Sequence, residues 1–472
     1  MIRRAGLILL AAALAGCAVG PNYRRPDASA PAAFRGQPDA PPGALADLPW
    51  WSLFGDPVLV DLVKTSMTQG YDLRIVAARV EQARAIAAET HGQLFPTLGY
   101  AANADRGKNA LLGNAYTAGG GSTANGFDGY LGAAWEFDLW GRVRRLDEAA
   151  RANFLASEEA RRGVWLSLFS QVAASYFQLL ELDEELAIAH QAEGTFGESL
   201  KLFNERLSGG VASRLETASA EAAQATSAAQ IPALERRIAI QENELSVLLG
   251  RSPGPIRRGA RLADQPAAPE IPTGLPSALL ERRPDVLQAE AAARAANAGV
   301  GVTIGGFLPR IGLSAILGSV STRLQDLTTG NAALWSAGAQ VTGPLFQGGT
   351  LHGEYHQAKE AWEEAKLHYQ QTALNAFADV ANALVTRQKL AQERLLQERA
   401  VQADQEAVAV AVQRYKAGEA AYYEVLQTQE LLFPAETALA ATRRDQLIAA
   451  VQLYTALGGG WNPRDASAPL PP

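Results

Sequence analysis

Prolines punctuate this chain unevenly: none occurs between Pro96 and Pro232, and none between Pro344 and Pro434. Within these windows lie two unbroken helical patterns, about 142–207 and about 351–416. Each covers about 65 residues, or about 100 Å at 1.5 Å per residue, several times an ordinary globular helix. Such a rod cannot fold inside one compact domain and must lie against other helices along its length. The apolar positions supply the seam. Val172, Tyr176 and Leu179, then Phe196, Leu200, Phe203 and Leu207, recur at steps of three and four, while Leu426, Phe433, Ala440, Leu447 and Tyr454 fall seven apart. That period describes helices packed side by side as a coiled coil.

Composition removes several function classes. One cysteine excludes a disulfide framework. Five histidines, without H-E-x-x-H, G-x-S-x-G or a Walker-type loop, leave no constellation for hydrolysis or phosphate chemistry, so the chain does not read as an enzyme. The formal charge of −7, with no basic stripe, argues against nucleic acid. His352 and His356 lie four apart on one helix face, but without a third ligand they read as a solvated pair, and no metal site or cofactor is expected.

The N-terminus carries an export signal. Arg3 and Arg4 precede an apolar run of about eleven residues, too short for a spanning helix, which needs about 20. It ends in Leu14-Ala15-Gly16-Cys17, which resembles a bacterial lipobox. Residues 1–16 are therefore read as a lipoprotein signal and Cys17 as the lipidated first residue of the mature chain, with Ala18 favouring the outer membrane. No later apolar run is long enough to span a bilayer, so any crossing must be made by strands.

The chain is internally duplicated at an offset of about 208 residues. Arg206-Leu207-Ser208-Gly209-Gly210 aligns with Arg414-Tyr415-Lys416-Ala417-Gly418, Leu249-Gly250 with Leu457-Gly458, and Leu139-Trp140-Gly141 with Leu345-Phe346-Gln347-Gly348. The expected organisation is an anchored tail (17–55), a first repeat (56–250), a Pro-rich connection (251–275), a second repeat (276–458) and a C-terminal tail (459–472). The first repeat holds short helices, strands at about 94–106 and 126–139, the helix 142–207 and a return helix 211–250. The second holds strands at about 307–323 and 331–346 and helices 351–416 and 419–457. Between Phe127 and Leu139, apolar or small residues at odd positions alternate with Asp128, Glu136 and Asp138; Trp335, Ala337, Ala339 and Val341 alternate with Ser336, Gln340 and Thr342. Four such segments suit a membrane barrel but cannot close one, since the smallest have about eight strands; three copies would supply twelve. The short helix 72–93 and the return helix together approach the length of one long helix, so two short helices stacked end to end would match it.

Several motifs in order resemble one family: Cys17-Ala18-Val19-Gly20-Pro21-Asn22-Tyr23; Trp50-Trp51 through Phe54-Gly55-Asp56-Pro57; Phe137-Asp138-Leu139-Trp140-Gly141-Arg142; Leu275-Pro276 through Glu281-Arg282-Arg283-Pro284-Asp285-Val286; and Gly343-Pro344-Leu345-Phe346-Gln347-Gly348-Gly349. Together, over about residues 17–460, they resemble the TolC-like outer-membrane efflux proteins, in the NodT or OprM-type lipoprotein branch. The resemblance implies a mainly α protein with a membrane β part: a homotrimer with a 12-stranded β-barrel and a 12-helix periplasmic α-barrel. It also implies a passive exit duct in the outer membrane of a Gram-negative bacterium, joined through a periplasmic adaptor to an inner-membrane transporter of the RND type. A coiled-coil adaptor would explain the long helices and the anchor, but not four amphipathic strands repeated in pairs.

Site expectations follow. Arg206, Gly209, Gly210, Arg414 and Gly418 occupy the two helix-to-helix turns, where glycine ends a helix and arginine suits its dipole; the resemblance adds that an adaptor docks there. Glu216 and Glu424 are equivalent under the duplication, and in three copies would place six carboxylates at a mouth; Ser213 and Glu216 also form a capping-box pattern that Ala421 breaks in the second repeat. Tyr422 and Tyr423 could close such a mouth sterically. Trp135, Trp140 and Trp335, near strand ends, suit a membrane-interface belt.

Overall fold

The computed structural model describes residues 18–35, 54–108, 123–211, 213–266 and 276–459. The 1–16 signal, Cys17, Trp50-Trp51, Leu275 and most of the tail 459–472 lie outside the described residues. In chain order the principal elements are helices α1 (Pro57–Gln69) and α2 (Tyr71–Gly92), strands β1 (Thr97–Lys108) and β2 (Thr123–Phe137), and helices α3 (Arg142–Ser208) and α4 (Arg214–Leu248). After a connection come α5 (Pro284–Gly306), β3 (Arg310–Ser321), β4 (Ala333–Thr342), α6 (Thr350–Lys416) and α7 (Tyr422–Ala456).

The duplication extends to the backbone. Helices α3 and α6 each have 67 residues, α4 and α7 each 35, and β1 and β3 each 12. Left-handed glycines Gly141, Gly210 and Gly250, with φ of 80°, 76° and 72°, recur 208 positions later as Gly349, Gly418 and Gly458, at 89°, 79° and 84°. The expected alignment of Gly141 with Gly348 shifts to Gly349, because β4 ends earlier relative to its helix than β2 does. The return helices begin at Arg214 and Tyr422, three residues later than the pattern suggested, because the turn and the cap use the residues between. The strands stop short of the expected helix-side ends; Asp138, read as strand, instead accepts the amide N–H groups of Val143 (3.1 Å) and Arg144 (2.9 Å) and caps α3.

The chain forms two compact units. One gathers the described parts of 1–27, 79–158 and 288–370, including a four-stranded antiparallel sheet in the order β1-β2-β3-β4. Its N-terminal tail is tied down residue by residue. Arg145 donates to the carbonyls of Val19 (3.1 Å) and Gly20 (3.2 Å) and to Asn22 Oδ1 (2.8 Å), Asn297 donates to the Pro21 carbonyl (2.9 Å), and Arg25 pairs with the buried Glu290. Burial, with the nearby Glu290 charge, holds the Tyr23 hydroxyl well above its ordinary pKa.

The other unit gathers the described parts of 28–78, 159–287 and 371–472 around one large core that includes Val172, Tyr176 and Leu179, all fully buried, with Val380, Leu453 and Tyr454. The seam is made where the spacing placed it, with Phe196 against Phe433 at 5.6 Å between ring centroids; Leu207, at its end, is 38% exposed. Asp56 is 2% exposed and organises the connection: it caps α1 through Val58 N–H at 2.8 Å and accepts from Tyr176 Oη (2.7 Å) and Gln265 (2.8 Å). Arg258 binds Asp183 and Glu242, so the connection clamps α3 to α4. Arg283, 11% exposed, bonds Asp285, Asp379 and the Ala456 carbonyl at the end of α7. Burial works against its charge, but the two carboxylates outweigh that and keep its pKa raised.

In both repeats the left-handed glycine that ends the return helix packs against the backbone just before another helix begins. A Cβ on Gly250 would lie 2.3 Å from the Gln69 carbonyl oxygen, at the corner where α2 begins, and one on Gly458 would lie 3.2 Å from the Arg282 carbonyl, just before α5. Glycine is required at Gly250 on two counts, φ and backbone contact.

Candidate functional site

The first candidate surface is the sheet. Residues directly opposed across an antiparallel ladder share a face, so the register defines rows. Tyr100, Leu131, Leu317 and Trp335 form one row, exposed at 87%, 52%, 66% and 76%. The neighbouring rows toward the helix-side end are Leu98, Ala133, Ala315, Ala337; then Trp135, Leu313, Ala339; then Phe137, Ile311, Val341. The opposite face carries Asn103, Asp128, Glu136, Ser314, Ser336 and Gln340, with Asn103 donating to Asp128 at 2.9 Å. One face is thus apolar and uncovered, the other largely polar or small. Strands of 10 to 15 residues suit a tilted bilayer crossing. Among the described residues, the outer edges of β1 and β4 pair with no strand.

The base of the sheet is built from the Phe137-to-Arg142 motif. Arg142 grips both oxygens of Glu136 at 2.9 Å, Asp138 caps α3, and the Trp140 indole donates to the Pro309 carbonyl at 2.8 Å. Gly141 is pressed against the N-terminal tail: a Cβ there would lie 2.6 Å from Ala18 Cα. Val19 N–H bonds the Trp140 carbonyl at 2.9 Å. Residue 18, directly after Cys17, is therefore fixed at this end of the sheet. The three tryptophans are not level. Trp135 and Trp140 lie at the base, where Trp135 donates to the Leu94 carbonyl at 3.0 Å, whereas Trp335 stands two rows away, about 13 Å along the strands. Sequence reasoning missed Leu345 and Phe346, 104% and 88% exposed after β4; consecutive bulky apolar residues in a Gly-Pro-flanked loop were the available signal.

The second candidate surface lies at the two helix-to-helix turns. Each is closed by the same pair of bonds: Gly210 N–H to Leu207 O (3.0 Å) with Val211 N–H to Arg206 O (2.9 Å), and Gly418 N–H to Tyr415 O (3.0 Å) with Glu419 N–H to Arg414 O (2.9 Å). This is a Schellman turn in each repeat. Only Gly210 and Gly418 are left-handed; Gly209 keeps helical hydrogen bonding through its N–H to Glu205 O at 3.1 Å.

Equivalent side chains then part company. Ser213 and Glu216 complete a capping box, Ser213 N–H donating to Glu216 Oε2 at 2.7 Å and Glu216 N–H to Ser213 Oγ at 3.3 Å. Ala421 cannot reciprocate, and Glu424 instead takes Arg414 in an ion pair of 2.8 Å. Arg206, the counterpart of Arg414, reaches the other repeat: its guanidinium lies 5.3 Å from the Tyr415 ring centroid and donates to the Tyr415 hydroxyl. Both gate glutamates are thus engaged within the chain. Tyr422 differs from expectation too. It is 5% exposed and packs on Phe203 with ring centroids 4.2 Å apart, and burial raises its hydroxyl pKa. Its side chain belongs to the tip core with Val425 and Ala220, because the start of α7 turns that face inward, while Tyr423 is 69% exposed. Along the last turns of α3 a groove is lined by Gly197, Leu200, Lys201, Asn204, Glu205 and Ser208.

No cluster of three or more His, Cys, Asp or Glu that could hold a metal occurs among the described residues. No helix among them is long and apolar enough to cross a membrane.

A family model described as outer membrane efflux protein matches residues 62–251 and 275–459. The toluene efflux pump outer membrane protein TtgC of Pseudomonas putida is 33% identical over 463 residues, 96% of this chain and 95% of that one. Among solved structures, the outer-membrane channel OprN superposes with a TM-score of 0.86 at 31% identity, over 95% of this chain and all of that one. The open state of the Neisseria gonorrhoeae MtrE outer membrane channel gives 0.85 at 29%, over 94% and 98%.

Proposed function

The chain belongs to the outer membrane efflux protein family, and from that premise we propose that it works as a homotrimeric exit duct of a tripartite efflux pump. The observation that carries this reading is the sheet: an uncovered apolar face on four strands whose two outer edges are both unpaired within the described chain. Such a sheet is an incomplete barrel wall. Three copies joined β4 to β1 give twelve strands, with the apolar rows toward lipid and the Asn103, Asp128 and Glu136 face toward water. The four helical columns of each chain, two long helices and two end-to-end stacks, then give a 12-helix tunnel.

The remaining roles follow from placement. A lipid on Cys17 would sit beside the base of the sheet, where Ala18 is held against Gly141, and Trp135 and Trp140 mark the same level. Trp335 faces lipid deeper in the barrel wall. The turns at Arg206, Gly209, Gly210, Arg414 and Gly418, with the shallow groove on α3, are the proposed seat for a periplasmic adaptor, which links the duct to an inner-membrane transporter of the RND type. At the mouth the Arg206–Tyr415 and Arg414–Glu424 links restrain the tips, Tyr423 is the exposed aromatic available to narrow the opening, Glu216 shapes the turn, and Tyr422 holds its core.

Planar-bilayer recording tests the function. Purified trimers should insert and conduct in discrete steps, and a variant with both tip links removed should conduct more. Trimers that insert yet conduct in neither form would refute the duct.

A further inference from the structure

Outside the sheet and the tips, one pair of side chains is poised for chemistry that export does not use. His352 and His356 stand one turn apart at the start of α6, both exposed, with their Nε2 atoms 3.0 Å apart and ring centroids 4.4 Å apart. Two imidazole nitrogens bound to one metal at about 2.05 Å lie about 2.9 Å apart when they subtend a right angle, and about 3.3 Å apart at the tetrahedral angle. The observed separation fits the right angle. We propose that His352 and His356 form a two-nitrogen chelate for a divalent transition metal of tetragonal preference, Cu2+ or Ni2+, with water in the remaining positions.

Two neutral imidazoles in contact share one hydrogen between their Nε2 atoms; when the donating ring moves that proton to Nδ1 and both rings turn, their Nε2 lone pairs meet on a metal beside the N···N line, so both ligands bind neutral and no net proton is released. The first five turns of α6 carry Glu354, Glu360, Glu363 and Glu364 against Lys359 and Lys366, an acidic local balance that favours a cation. No third protein ligand completes the site among the described residues, which keeps it open and exchangeable rather than a closed structural centre. His91, by contrast, contacts Asp147 and Arg151.

The probe is Cu2+ titrated into the detergent-purified, tag-free protein, followed by equilibrium dialysis and by electron paramagnetic resonance. One ion per chain should bind, with a tetragonal spectrum split by two nitrogens. Because chelation raises affinity by about a hundredfold or more over a single ligand, His352→Gln or His356→Gln should weaken binding by at least that factor. Both side chains are exposed, and unchanged trimer migration establishes that the variants fold. Undiminished stoichiometry and affinity in the double variant, or a one-nitrogen spectrum in the parent, would overturn the site.

Discussion

Replacing Tyr415 by phenylalanine isolates a single restraint on the tips. The ring stays, and so do its contacts with Phe203 at 6.0 Å and Tyr422 at 5.9 Å; the bond from Arg206 goes. Arg206 and Tyr415 are both half-buried, so the bond is worth about 1 kcal/mol, near the mean for a protein hydrogen bond. In a single chain that shifts a closed–open balance about fivefold; in a trimer whose three links part together it amounts to about 3 kcal/mol, or somewhat over a hundredfold. Arg206→Ala removes in addition the cation–π contact, a further ~0.5–1 kcal/mol per chain. Mean conductance of reconstituted trimers should therefore rise in the order parent, Tyr415→Phe, Arg206→Ala, with unchanged trimer migration on seminative gels. Equal conductance in all three would mean that the link between repeats does not restrain the mouth, and the reasoning would fail at that step.

Other perturbations separate the remaining roles. Gly210→Ala meets open space and should cost only the ~1–2 kcal/mol of a left-handed alanine, whereas Gly250→Ala also drives a Cβ to 2.3 Å from the Gln69 carbonyl; heat dissociation of the trimer should fall much further for the second, and equal shifts would contradict the stacked-helix joint. Cys17→Ser behind a cleavable signal should leave the protein in the membrane fraction, held by its strands; wholly soluble monomer would refute a strand-built membrane domain. Glu424→Gln releases Arg414 from an exposed pair worth ~0.2–1 kcal/mol and should leave the mouth less cation-selective, while Glu216→Gln keeps a serviceable capping box and should change little; reversal potentials across a salt gradient distinguish them.

Much of the architecture was legible because it is periodic. The heptad positions, the proline-free windows and the 208-residue offset are repeated signals, and the left-handed glycines recur at that offset. Element ends were less legible, since Asp138 in the motif reads equally as an alternating strand residue and as a helix cap. The tips show where sequence equivalence misleads. Arg206 matches Arg414 and Glu216 matches Glu424, yet one difference, Ser213 against Ala421, decides which glutamate is engaged by a cap and which by an arginine. The Arg206–Tyr415 and Asp56–Tyr176 bonds join residues 209 and 120 positions apart and leave no local pattern to find. Tyr422 turns inward onto Phe203, 219 positions away, and shares that buried helix face with Val425 three residues on.

Cross-linking β4 to β1 between copies shows whether identical chains close one barrel edge to edge. Cys17 is the chain's single cysteine, so with Cys17→Ser as the background no other thiol competes. Ser336→Cys on β4 is combined in turn with Gly99→Cys, Ala101→Cys or Asn103→Cys on β1, all on the face opposite the apolar rows, so that the series samples the unknown stagger. Mild oxidation in membranes should give, for one combination, covalent products of two and then three chains and nothing longer, as a closed ring requires. Ladders running past three chains, or no intermolecular product from any combination in correctly inserted protein, would contradict it.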